Sequence, residues 1–134
     1  MNLQACRTAI VEALEGSGFN AYPYISGAQD IPFVAVGNVD EVEYLKDFAG
    51  SCMVSVKVWV FVDRVNDVAS AQILEDALST SSTSVYSKLR NIDTDAWRSL
   101  KILKAGPIGT STFGTIPCLV LPIEIEIYSK KEQG

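Results

Sequence analysis

Residues 52–78 read CMVSVKVWVFVDRVNDVASAQILEDAL, and their reading decides the fold. Every second residue from Val54 to Val62 is valine, and between them stand Ser55, Lys57, Trp59 and Phe61. Such strict period-two alternation predicts a strand with one buried face. A buried valine contributes roughly 1.5–3 kcal/mol of gross burial, so five of them anchor a small domain. After a short Asp-Arg-Val-Asn link, Asn66 or Asp67 is placed to cap a helix. Ala71, Leu74, Ala77 and Leu78 then recur at helical spacing, with Gln72, Glu75 and Asp76 mostly outside. Helix and strand are expected to pack through the valines, the small alanines allowing close approach.

Helices can cover only one face of a sheet, so Trp59 and Phe61 need a different cover. Three sources are open: the 38–51 segment, the last strands, or a neighbouring subunit. A large apolar patch left bare marks an interface or a liability.

Upstream, Leu3, Cys6, Ile10, Ala13 and Leu14 form one apolar helical stripe opposite Gln4, Arg7, Thr8, Glu12 and Glu15, and Gly16 or Gly18 stops the helix. Residues 19–25 and 31–37 read as two short strands joined by a turn at 26–30, with Pro23 and Pro32 confined to ends, edges or bulges. Residues 38–51, NVDEVEYLKDFAGS, mix four acids with Val42, Tyr44, Leu45 and Phe48. They read as a projecting arm that orders against a partner, or as a continuation in which the two flanking strands run longer and pair.

Downstream, Ser79–Ser84 (STSSTS) interrupts the helix because its hydroxyls compete for the backbone, and a shorter helical turn follows from Val85 to about Arg90. Residues 97–105 are read as a strand, although Thr94, Trp97, Leu100 and Leu103 also suit a helix. Residues 106–114, GPIGTSTFG, read as a mobile loop. In 116–128 the second long alternation places Leu119, Leu121, Ile123, Ile125 and Ile127 on one face, with Pro122 on the other marking an edge or a bulge. The expected fold is therefore α+β: a mostly antiparallel sheet with two main helices on one face, in the order α-β-β-β-α-β-β. The 134 residues form a single domain, 1–134, with the arm at about 38–51.

Charged residues are 20% and hydrophobic ones 48%, with a formal charge of -5 and no histidine. The acidic balance argues against gripping nucleic-acid phosphates, while permitting a wall past which DNA slides. Lack of histidine removes Ser-His and Cys-His nucleophile pairs, the usual zinc sites and the commonest general base. No enzyme activity, cofactor or metal is expected. No apolar run approaches the roughly 20 residues that span a bilayer, and the first residues lack the order of a signal peptide, so synthesis in a reducing cytoplasm is expected. Cys6, Cys52 and Cys118 read as core thiols.

Four motifs resolve into plain structure. Gly16-Ser17-Gly18-Phe19-Asn20-Ala21 fits a dinucleotide pattern, but it follows a helix where that site needs a strand. Asn91–Asp95 resembles the start of a calcium loop that lacks its glycine and its closing glutamate. Glu124 and Glu126 share a strand face with nothing convergent beside them, and Arg98, Lys101 and Lys104 read as a solvated or salt-bridged strip.

The order of helix, two short strands, long arm, VSVKVWVFVDR strand, NDVASAQILEDAL helix and closing PCLVLPIEIEIYS strand resembles the tail terminator (tail completion) proteins of long-tailed bacteriophages, over residues 3–128. That resemblance implies a structural subunit of the virion, made in the host cytoplasm. It implies a homo-oligomeric ring, sixfold in the family, that caps the tail tube at its head-proximal end, stops its polymerisation and joins it to the head connector. The implied partners are further copies of the chain, the tail tube protein and the head–tail connector protein; DNA passes through the bore without specific binding, and no membrane is involved. Tyr44, Leu45, Phe48, Trp59, Phe61 and Phe113 are the candidate subunit or partner contacts. Another tail-tube or head–tail joining subunit is the nearest alternative, and a small-ligand-binding domain or minor enzyme is the alternative of another class.

Overall fold

The computed structural model describes residues 2–27, 29–44 and 51–129. The Val54–Val62 alternation forms the middle of a strand that has partners on both sides. In chain order the elements are α1 (Leu3–Leu14), β1 (Asn20–Tyr22), β2 (Phe33–Tyr44), β3 (Cys52–Asp63), α2 (Asp67–Ala77), α3 (Val85–Arg90), β4 (Ser99–Ala105), β5 (Gly109–Phe113) and β6 (Ile116–Tyr128). The fold is α+β, with strand order β1-β2-β3-β6-β4 and β5 also paired to β6. All pairings are antiparallel except β1 with β2, which run parallel over three residues.

Register explains how the core forms. Val54, Val56, Val58, Val60 and Val62 stand opposite Ile127, Ile125, Ile123, Leu121 and Leu119 of β6, so the two long alternations merge into one apolar face. Onto it pack Cys6, Ile10 and Leu14 of α1, Leu74 and Ala77 of α2, and Val85 and Leu89 of α3, all buried. Caps fix where the helices start. Asn2 Oδ1 accepts from the Ala5 N–H, Asn66 Oδ1 from those of Val68 and Ala69, and Ser84 Oγ from that of Ser87. Ser84 also donates to the Ser79 carbonyl at 2.6 Å, which closes the serine-rich break between α2 and α3.

Three expectations are corrected. Residues 106–114 hold β5 rather than a loop alone. β6 has thirteen residues and β4 covers only its Ile123–Tyr128 end, so the backbone of residues 116–120 lacks a partner on that side until β5 supplies one. Pro122 lies in the sheet interior, opposite Trp59, and not on an outer edge. Its carbonyl accepts from the Gly106 N–H at 2.9 Å, and in an antiparallel strand a residue's N–H and C=O point the same way. The missing Pro122 N–H therefore faces the gap where β4 gives way to β5, the one place on that side that makes no demand on it.

Arg7 is the third correction, since it is 8% exposed and turned inward instead of facing solvent. Its Nη1 donates to the carbonyls of Pro23 at 2.7 Å and Val36 at 3.0 Å, and its guanidinium lies 4.2 Å from the Tyr24 ring centroid. Tyr22–Ala35 is the last β1–β2 pair. Arg7 thus satisfies two carbonyls at the point where β1 leaves β2.

Candidate assembly surface

All three helices lie against the valine face, so the opposite face and the strand edges are what the fold offers to a partner. On β3 the helix-free face carries Met53, Ser55, Lys57, Trp59 and Phe61, and its two ends differ in chemistry.

One end is aromatic. Phe33 is fully buried and stacks on Phe61, with centroids 4.6 Å apart and planes 13° from parallel. Phe113 leans on both, at 4.9 Å from Phe33 and 5.9 Å from Phe61, and Tyr22 meets Phe33 edge-on at 6.0 Å. Of the three possible covers, the last strands therefore supply that of Phe61, through the β5–β6 hairpin. Trp59 is half-buried, and its cover is β2 itself. A Cβ on Gly37 would lie 2.8 Å from Trp59 Nε1 and 3.1 Å from the Lys57 carbonyl, so only glycine lets the indole settle there.

The other end is charged, and the pairings place it in rows. Glu41 stands opposite Ser55, Ser55 opposite Glu126, and Glu126 opposite Lys101. Directly opposed residues share a face, so this row crosses the helix-free face from one margin of the sheet to the other. A second row joins Lys57, Glu124 and Lys104, and Lys104 Nζ lies 3.6 Å from Glu124 Oε2. Tyr128 Oη donates to Glu126 at 3.5 Å, while Lys101 sits 5.2 Å from the Tyr128 ring centroid. Glu124 and Glu126 thus have separate partners and do not converge on a common point. The Arg98–Lys104 strip is solvent-facing and partly salt-bridged, as its composition predicts.

The two margins are edges. Among the described residues, β1 pairs with β2 only as far as Ala35, and β4 pairs with β6 alone. Beyond Val36, whose carbonyl Arg7 takes, no strand among the described residues pairs with the outer side of β2. Of the 38–51 segment, residues 41–44 run on as strand, with Glu41, Val42, Glu43 and Tyr44 paired to Ser55, Val54, Met53 and Cys52, while residues 45–50 of the expected arm lie outside the described residues.

The four candidate contacts among the described residues do not form one patch. Tyr44 is 79% exposed at the end of β2, whereas Trp59, Phe61 and Phe113 are half-buried within their own molecule. Leu45 and Phe48 lie outside the described residues. Sequence reasoning missed Phe33 and Tyr22, although the alternation Phe33, Ala35 against Val34, Val36 already puts Phe33 on the same side as Phe61. Val65, Val68 and Ile116 were missed as well and are exposed, at 86%, 68% and 45%. They belong to the end of the sheet where the Arg64 N–H bonds the Pro117 carbonyl.

Local electrostatics are modest. Arg64 holds the Asp67 carboxyl below its ordinary range through a hydrogen bond at 2.8 Å on the surface. Burial pushes the Cys6 and Cys118 thiols up. Among the described residues no cluster of His, Cys, Asp or Glu has metal-ligand geometry, and no helix is long and apolar enough to cross a membrane. Compared with protein-family models and with curated proteins, the chain matches none.

Proposed function

We propose that this chain is a structural subunit that assembles into a ring on the end of a bacteriophage tail tube, halts tube growth there and presents a surface to the head connector. One observation supports the reading most: among the described residues the helices cover a single face of the sheet, and strand on both margins lacks a neighbour, which leaves main-chain groups that further protein can pair with. The resemblance in element order to tail terminator proteins supplies the kind of assembly, its sixfold symmetry and its partners. The roles of tube protein, connector and passing DNA rest on that resemblance.

Two features support a non-catalytic part. The chain has no histidine, and Glu124 and Glu126 are engaged by different neighbours. The net charge of -5 per chain suits a bore that DNA crosses without being held. Contacts in a cyclic ring are head-to-tail, which requires two different surfaces on each subunit. The two margins of this sheet differ in that way.

Tube growth is the direct assay. Purified tail tube protein is allowed to polymerise with and without the chain, and tube lengths are measured. Capping predicts that growth stops at a length set by the time of addition. Tubes that elongate equally in both reactions refute the proposal.

A further inference from the structure

The two strand edges that have no neighbour among the described residues carry opposite charge. Along β2, residues 38–44 read Asn-Val-Asp-Glu-Val-Glu-Tyr, with Asp40, Glu41 and Glu43 exposed and no basic residue. Along β4, residues 99–105 read Ser-Leu-Lys-Ile-Leu-Lys-Ala, with Lys101 and Lys104 exposed, Arg98 just before them and no acidic residue. Each stretch has seven residues. Exposed charge and bulges are also how proteins protect an edge from stray pairing, and both edges have bulges, after Val36 and at Asp40 on β2 and at Leu103 on β4. Protection alone does not require the signs to segregate. Segregated as they are, they oppose β2 meeting β2 or β4 meeting β4 and favour β2 meeting β4.

Geometry agrees with charge. Following the antiparallel pairings from β2 through β3 and β6 to β4, the outer two strands run in opposite directions. Rotation of a second copy about an axis along the strands therefore brings its β4 antiparallel to the first copy's β2. The row Glu41–Ser55–Glu126–Lys101 lies at one height on one face, so its continuation into the next copy sets Lys101 beside Glu41. A stagger of two residues sets it beside Glu43 on the same face.

We propose that the occupant of the free β2 edge is β4 of a second copy of this chain, added antiparallel by main-chain hydrogen bonds, with Lys101 of the incoming copy aligned on Glu41 or Glu43. The proposal rests on the ring reading above and specifies its junction. Each copy gives one edge and receives one, so the contact is heterologous and closes a ring when the rotation closes. With four strands from each of six copies, about 24 strands spaced about 4.8 Å apart enclose a ring about 37 Å across between backbones.

Charge exchange tests the junction. Two variants are prepared, Glu41→Lys/Glu43→Lys and Lys101→Glu/Lys104→Glu, their folding is checked by circular dichroism, and their masses are followed by sedimentation. The wild-type chain is expected to self-associate. Each variant alone has two edges of like charge and is expected to associate at least about tenfold more weakly. An equimolar mixture is expected to recover assemblies, because each edge then finds its opposite in the other variant. A third variant, Glu41→Cys/Lys101→Cys, is expected to form disulfide-linked ladders larger than a dimer on mild oxidation. Wild-type oligomers that are indifferent to charge reversal, or a cysteine variant that gives no ladder, overturn the edge junction and leave the ring standing. A wild-type chain that stays monomeric at every concentration, and bare tube ends in its presence, overturn both.

Discussion

Gly37→Ala is the sharpest probe of how the helix-free face is covered. The added methyl would meet Trp59 Nε1 at 2.8 Å, Trp59 Cδ1 at 2.9 Å and the Lys57 carbonyl at 3.1 Å. The first two distances are well inside van der Waals contact, and Lys57 O belongs to the backbone of the central strand, which gives little. Overpacking of this kind costs about 1–3 kcal/mol, and for a chain of this size each kcal/mol lowers the thermal midpoint by about 3–6 °C. In a Trp59→Ala background only the carbonyl contact remains, so the penalty is expected to fall to less than half. Thermal unfolding of the four proteins in this cycle gives both numbers, and the emission of Trp59 reports whether the indole has been lifted off β2. An alanine variant as stable as the wild type, or a penalty unchanged by removal of the indole, refutes the seating of Trp59 on Gly37.

Other expectations follow from the same contacts. Phe33→Ala removes a fully buried ring from the stack with Phe61 and Phe113 and is expected to lose about 3–5 kcal/mol in urea unfolding; a loss under about 1 kcal/mol places the stack outside the core. Arg7→Met keeps the aliphatic stem but leaves the Val36 carbonyl without its donor, and a destabilisation of about 1–3 kcal/mol is expected, with no change reading as a carbonyl that is satisfied otherwise. The Cys6 and Cys118 thiols, pushed up by burial, hold less thiolate at pH 8 than a free cysteine. Native protein should therefore react slowly with a disulfide reagent at these two sites and rapidly in denaturant, as mass mapping can establish. Val58→Asp puts an unpaired charge at a fully buried position between α-helices and sheet and is expected to abolish cooperative folding; a soluble, cooperatively unfolding variant reverses the inward face of β3.

What the sequence reveals depends on how local the cause is. The valine and isoleucine alternations of β3 and β6, the Asn66 cap and the hydroxyl-rich break before α3 all lie within a dozen residues of their effects, and the structure follows them. β5 does not declare itself, because GPIGTSTFG has the glycine and hydroxyl content of a loop. Only the excess length of β6 over β4 calls a strand out of it. Arg7 reads as solvent-facing from helical periodicity, and its inward turn is set by carbonyls sixteen and twenty-nine residues away. The aromatic cluster joins residues from four strands, so composition gives its members without their partners. The same holds for the Glu41–Lys101 row: the acidic and basic stretches are visible in sequence, but their shared height and face appear only once three pairings are known.

Electron microscopy of tail tubes incubated with the purified chain tests the central claim most directly. The account predicts a single added ring of six copies at the growing end, in register with the tube and absent from its shaft. Tube ends that stay bare at saturating protein, or chains scattered along the shaft as single copies, contradict it.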